Sequence, residues 1–122
     1  MDPITQQTLL AAAGAAGGDP VYVDDVFSTF LYRGNNVIGR DIVNGIDLSG
    51  EGGLAWVKKR SSASEDHVLL DTERGANKFI RSNSEGVEIT SGGPITAFRS
   101  DGFTVNSNGY VNGNNADYAS WT

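Results

Sequence analysis

Gly53-Leu54-Ala55-Trp56-Val57-Lys58-Lys59-Arg60 alternates large and small apolar side chains and then turns basic. In an extended chain successive side chains point to opposite faces, so Leu54, Trp56 and Lys58 share one face and Ala55 and Val57 the other. The stretch reads as a strand covered on both faces at its start and exposed at its basic end. The same grammar surrounds it from Asn36 onward: short alternating runs, each ended by glycine, asparagine, serine or aspartate. Candidate strands are residues 36–38, 53–59, 66–71, 78–81, 86–90, 96–100, 102–106 and 117–122. Asn44-Gly45, Asn108-Gly109 and Asn112-Gly113 suit turns with positive φ. No second long helical period appears. Many short strands with Gly/Asn turns predict a mostly-β fold, an antiparallel sandwich or jelly roll. Its expected core is Phe27, Leu31, Leu54, Trp56, Leu69, Phe79, Phe98, Phe103 and Trp121.

Upstream of this body the pattern is helical. Asp2 can cap, Pro3 fits a first helical position and Gly17-Gly18 supply a stop, which predicts a short N-terminal α-helix over residues 3–16. Its large side chains are Ile4, Leu9 and Leu10, while Ala11, Ala12, Ala13, Gly14, Ala15 and Ala16 form a bare surface. Such a helix buries little by itself, and its small side chains let another backbone come close. The expected anchoring surface is Ile4, Leu9, Leu10, Ala11, Ala12, Gly14 and Ala15, docked on copies of itself or on another protein. The alternative is a tail with nascent helicity. After Gly17-Gly18-Asp19-Pro20, the stretches Val21-Tyr22-Val23 and Val26-Phe27-Ser28-Thr29-Phe30-Leu31-Tyr32 are β-branched and aromatic, which predicts a leading strand. Asp24-Asp25 between them lacks the spacing of a calcium loop and reads as a solvated bend. The chain thus divides into residues 1–18 as an anchoring helix, 19–35 as linker and leading strand, and 36–122 as the β domain. Tyr118-Ala119-Ser120-Trp121-Thr122 looks like an apolar strand that stops without a turn, and an edge so apolar is a pairing hazard. Thr122 is therefore not expected to be the natural C-terminus.

Composition excludes several classes of function. The 122 residues allow one domain, and the absence of cysteine removes disulfides and thiolate metal sites. A net charge of -6 with nine Lys+Arg lacks the positive footprint that a phosphate backbone demands, so no nucleic-acid partner is expected. Residues 9–16 fall far short of the ~20 apolar residues that span a membrane, and Met1-Asp2-Pro3 has no positive n-region. No membrane insertion is expected, and the chain reads as soluble and unprocessed.

Catalytic constellations are equally sparse. His67 is the single histidine and no Gly-x-Ser-x-Gly occurs, so a hydrolase triad is not expected. His67 beside Asp66 or Asp71 could act as a base, or simply serve as a surface or packing residue. Glycoside hydrolysis needs two carboxylates about 5–5.5 Å apart. Glu65-Asp66, Asp71-Thr72-Glu73 and Glu85-Gly86-Val87-Glu88 supply carboxylates, but no Glu-x-Asp-x-x-Glu run, and Asp71, Glu73 and Arg74 read as a turn with local ion pairing. The glycine pairs lack the lysine of a phosphate loop. No catalytic, cofactor-binding or metal-ligating residue is expected, and the protein does not read as an enzyme. Sugar binding asks for less: Tyr110 for stacking, with Asn112, Asn114 and Asp117 for hydroxyls, has the right chemistry. The same residues also serve turns.

The ordered set of Gly53-Leu54-Ala55-Trp56-Val57-Lys58-Lys59-Arg60, Asp66-His67-Val68-Leu69-Leu70-Asp71-Thr72-Glu73-Arg74-Gly75, Ser82-Asn83-Ser84, Phe98-Arg99-Ser100-Asp101-Gly102-Phe103-Thr104-Val105 and Tyr118-Ala119-Ser120-Trp121-Thr122 carries a resemblance. It resembles the concanavalin A-like (laminin-G-like) domains of marine tailed-phage structural proteins, over roughly residues 27–122. Asp2-Pro3-Ile4-Thr5-Gln6-Gln7 and the Ala/Gly run are similar to the N-termini of cyanophage and pelagiphage virion proteins. The resemblance implies a concanavalin-like jelly roll located on the virion, in a tail fibre or similar appendage. Its partners would be other virion proteins and copies of itself. Capsid decoration and recognition of host-surface glycans are the alternatives. Members of that family continue past the Tyr-x-x-Trp-Thr strand with further sheet and domains, which this sequence does not.

Overall fold

A computed structural model describes residues 19–62 and 64–122. The helix expected over residues 3–16 lies outside the described residues, and so do Ile4, Leu9, Leu10, Ala11, Ala12, Gly14 and Ala15. The described elements are a helical turn α1 (Val23–Val26), then β1 (Thr29–Arg33), β2 (Arg40–Val43), β3 (Leu54–Lys59), β4 (Val68–Asp71), β5 (Ile80–Arg81), β6 (Ile95–Arg99), β7 (Gly102–Val105), a helical turn α2 (Gly109–Asn112), and β8 (Asp117–Trp121). The protein is mostly β, in two antiparallel sheets. One has the order β1-β8-β3-β4-β5 and the other β2-β7-β6.

Both sheets contribute to one core. Tyr32, Ala55, Val57, Val68, Leu70 and Tyr118 from the larger sheet form a single buried cluster with Ile42, Ile95, Phe103 and Val105 from the smaller. Alternation along β3 is as expected, but only one of the two faces is covered. Ala55 and Val57 are fully buried, whereas Leu54 and Trp56 are 44% and 38% exposed. Interior volume is already taken by Tyr32, Phe79, Phe103 and Tyr118, and a close-packed interior sets small side chains against large ones. Of the expected core, Phe79 and Phe103 are buried and Phe98 packs against them. Leu69 and Trp121 are half-buried. Phe27 and Leu31, like Leu54 and Trp56, are exposed. Trp56→Ala is therefore expected to cost less than about 2 kcal/mol, well below the ~3–5 kcal/mol of a buried tryptophan. Val57→Ala, although it removes fewer atoms, is expected to cost more, about 2–3 kcal/mol. Urea midpoints of the two variants check the order.

Other elements depart from expectation in ways that have local causes. Residues 36–38 are loop rather than strand: Asn36 sits at φ 56, and the pairing partner of β7 begins at Arg40 instead. Residues 86–90 reduce to a single bridge, Phe79 with Ile89. Residues 23–26 form a helical turn, where the Asp25 carboxylate accepts the Tyr22 N–H at 2.9 Å. Strand pairing starts only at Thr29. Of the three Asn-Gly pairs, Asn44-Gly45 makes the left-handed turn, with Gly45 at φ 85. Asn108 instead caps α2, and Gly113 takes φ -59. Finally, β8 is no sheet edge. It lies between β1 and β3, hydrogen-bonded to both.

Candidate functional site

The asparagine-rich stretch proves to be fastened to the body. Asn108 Oδ1 accepts the Tyr110 N–H at 2.9 Å, and the half-buried Tyr110 ring lies 5.8 Å from that of Phe79. Asn112 is fully buried. Its Oδ1 accepts from the Asn35 N–H at 3.0 Å, and its Nδ2 donates to the Val37 carbonyl at 2.9 Å. Asn114 is exposed, and Asp117 is half-buried at the start of β8, its N–H donating to Ser61 Oγ. Tyr110, Asn112, Asn114 and Asp117 therefore do not share one surface. Asn112 is spent inside, tying the 35–37 loop to α2.

Two phenols hold the same stretch from below. Tyr32 Oη donates to the Val111 carbonyl at 2.7 Å. Tyr118 Oη donates to the Gly109 carbonyl and accepts the Gly113 N–H, each at 2.7 Å. Their rings stack with centroids 5.3 Å apart. Burial, above all, pushes the Tyr32 phenol far above the ordinary tyrosine range, and burial raises Tyr118 too. The folded chain thus keeps protons that the unfolded chain releases above about pH 10. Stability is complete below that pH and falls as pH rises through it. Alkaline titration is expected to show tyrosinate absorbance completing only as the circular dichroism of the fold collapses.

The opposite face of the larger sheet is built differently. The pairings set Trp121, Trp56, Leu69 and Ile80 in one in-register row across β8, β3, β4 and β5, all turned away from the core. The Trp56 and Trp121 rings lie 5.3 Å apart at 49°, and the His67 ring lies 6.4 Å from Trp56. A groove of about 360 Å³ opens along the tryptophans, walled by Val26, Phe27 and Leu54. Buried Ile46 and Leu48 close it behind. Beyond His67 a second, polar cleft of about 220 Å³ is lined by Lys58, Lys59, Arg60, Ser62, Glu65 and Asn83. The ion pairs among the described residues use Arg74, Arg81 and Arg99, leaving Lys58, Lys59 and Arg60 outside them.

Three of the carboxylates weighed for catalysis, Asp66, Asp71 and Glu88, are held in ion pairs. Asp71 pairs with Arg74 at 2.9 Å, as the turn reading expects. Glu88 also pairs with Arg74. Asp66 takes Arg81 at 3.1 Å and the Asn83 amide at 3.0 Å, rather than His67. Among the described residues no group of three His, Cys, Asp or Glu side chains could hold a metal ion. What this surface offers is ring stacking beside cations. The sequence does not reveal it, because Leu54 and Trp56 read as core on a strand covered on both faces. The signal available was a strand apolar on both faces.

Residues 23–122 match a family described as a domain of unknown function, DUF7483. The chain belongs to that family. The DUF7483 span starts with α1 and takes in both sheets, so the tryptophan row and the basic cleft are parts of the family domain. No curated protein matches this DUF7483 chain, and no solved structure does.

Proposed function

We propose that this DUF7483 domain is a non-enzymatic structural module of a tailed-phage particle, carried on a tail fibre or similar appendage and acting through contacts made by its β body. The observation that carries the reading is the outer face of the larger sheet, where Leu54 and Trp56 stand exposed beside Phe27 and Leu31. Contiguous apolar surface of this kind marks a contact site. The ordered sequence resemblance to concanavalin A-like domains of phage structural proteins supports the particle assignment. Two antiparallel sheets sharing one core are compatible with the jelly-roll arrangement it implies. In this reading residues 1–18 anchor the module, in several copies, to other virion proteins, and the β body faces outward. Deleting residues 1–18 is expected to abolish incorporation into particles while the β-sheet circular dichroism of the purified chain persists. Undiminished incorporation of the truncated chain would refute the anchoring role. Density on the head rather than the tail, in a cryo-microscopy map, would make it a capsid decoration protein instead.

A further inference from the structure

We propose that the outer face of β3 and β8 binds a carboxylate-bearing saccharide, whose rings stack on Trp56 and Trp121 while its acidic groups meet Lys58 and Arg60. The inference rests on the reading of the β body as an outward-facing contact module, and it names the ligand class.

Three observations converge on it. Trp56 and Trp121 are opposed in register on adjacent strands, with rings 5.3 Å apart and tilted at 49°. Two rings so placed make a shallow concave shelf. The C–H faces of pyranose rings fit such a shelf, because they are flat and apolar while their rims carry hydroxyls. Next, Lys58 follows on the same face of β3, one pleat repeat or roughly 6.6 Å along the strand. Arg60 lines the same polar cleft as Lys58, and neither of the two enters an ion pair among the described residues. In a chain of net charge -6 this is a local positive spot, complementary to an anion held on the shelf. Lastly, His67 joins the shelf to the polar cleft, where the Glu65 carboxylate is placed to accept from saccharide hydroxyls.

Competing occupants fit less well. An apolar protein surface would strip water from Lys58 without replacing it. A nucleic acid engages a longer line of cations along its phosphate backbone than residues 58–60 supply.

The whole chain, titrated with a galacturonic acid hexamer and, separately, with maltohexaose, tests the inference by tryptophan fluorescence and calorimetry. The acidic oligomer is expected to bind about tenfold tighter than the neutral one at low salt, with the preference fading as salt rises. Trp56→Ala is expected to weaken binding about tenfold with the fold intact. Lys58→Gln is expected to weaken it about threefold and to flatten the salt dependence. Equal affinity for the two oligomers, or no binding of either, overturns the inference. So does sedimentation showing a dimer that Trp56→Ala dissociates, which would give the face to a second copy. Because the measurement uses the isolated chain, failure here leaves incorporation into particles as a separate result.

Discussion

Gly102→Ala is expected to destabilise the fold by about 4 kcal/mol or more. Gly102 opens β7, the middle strand of the smaller sheet, and pairs with Val43 on one side and Arg99 on the other. Its φ of 150 is one that L side chains rarely adopt, and a methyl group there would overlap the Ile42 carbonyl oxygen of the neighbouring strand. Backbone cannot swing aside as a flexible side chain can, so the clash is relieved only by parting β2 from β7. Strain alone accounts for about 1–3 kcal/mol, and the lost pairing carries the total to about 4 kcal/mol or more. Domains of this size typically hold ~5–15 kcal/mol. Urea unfolding followed by circular dichroism is the measurement. A midpoint equal to that of the parent chain would mean that β7 does not approach β2 as described.

The neighbouring position gives the second large effect. Phe103 is fully buried, flanked by Ile42 in β2 and by Phe98 in β6, and it joins the cluster fed by both sheets. Phe103→Ala removes a ring from a site whose neighbours are held by two strand ladders and cannot collapse freely. The expected cost is about 3–5 kcal/mol. Phe27→Ala is the control: at 50% exposure the same change is expected to cost about 1 kcal/mol or less. Comparable losses from the two would contradict the placement of the core.

The pair also illustrates what was legible beforehand. By residue type Phe27 and Phe103 are equivalent candidates, and only long-range packing separates them. Strands with clear alternation and glycine or asparagine ends were readable to within a residue or two, as β3, β6, β7 and β8 are. The inward side of β3 was not, because a strand apolar on both faces carries no local mark of which face meets the opposite sheet. Val37 and Ile38 have strand chemistry but pair with no strand among the described residues, whereas Arg40-Asp41-Ile42-Val43, with one buried residue, becomes a strand because β7 lies beside it. The same limit hid the candidate site. Trp56 and Trp121 are far apart in the chain, and their shelf exists only once β3 and β8 are in register. Tyr110 and its asparagines, by contrast, have residue types that serve sugars and turns equally, and burial of Asn112 decides for structure at that position.

The interior position of β8 governs the order in which the protein can be completed. Among the described residues, a nascent polypeptide that has delivered everything up to α2 still holds β1 without a strand neighbour and β3 with one side unpaired, since both wait for residues 117–121. Pairings between distant segments form slowly and leave apolar rims open in the meantime. The larger sheet therefore closes only once β8 has left the ribosome, and until then the unfinished rims are where misassembly would begin.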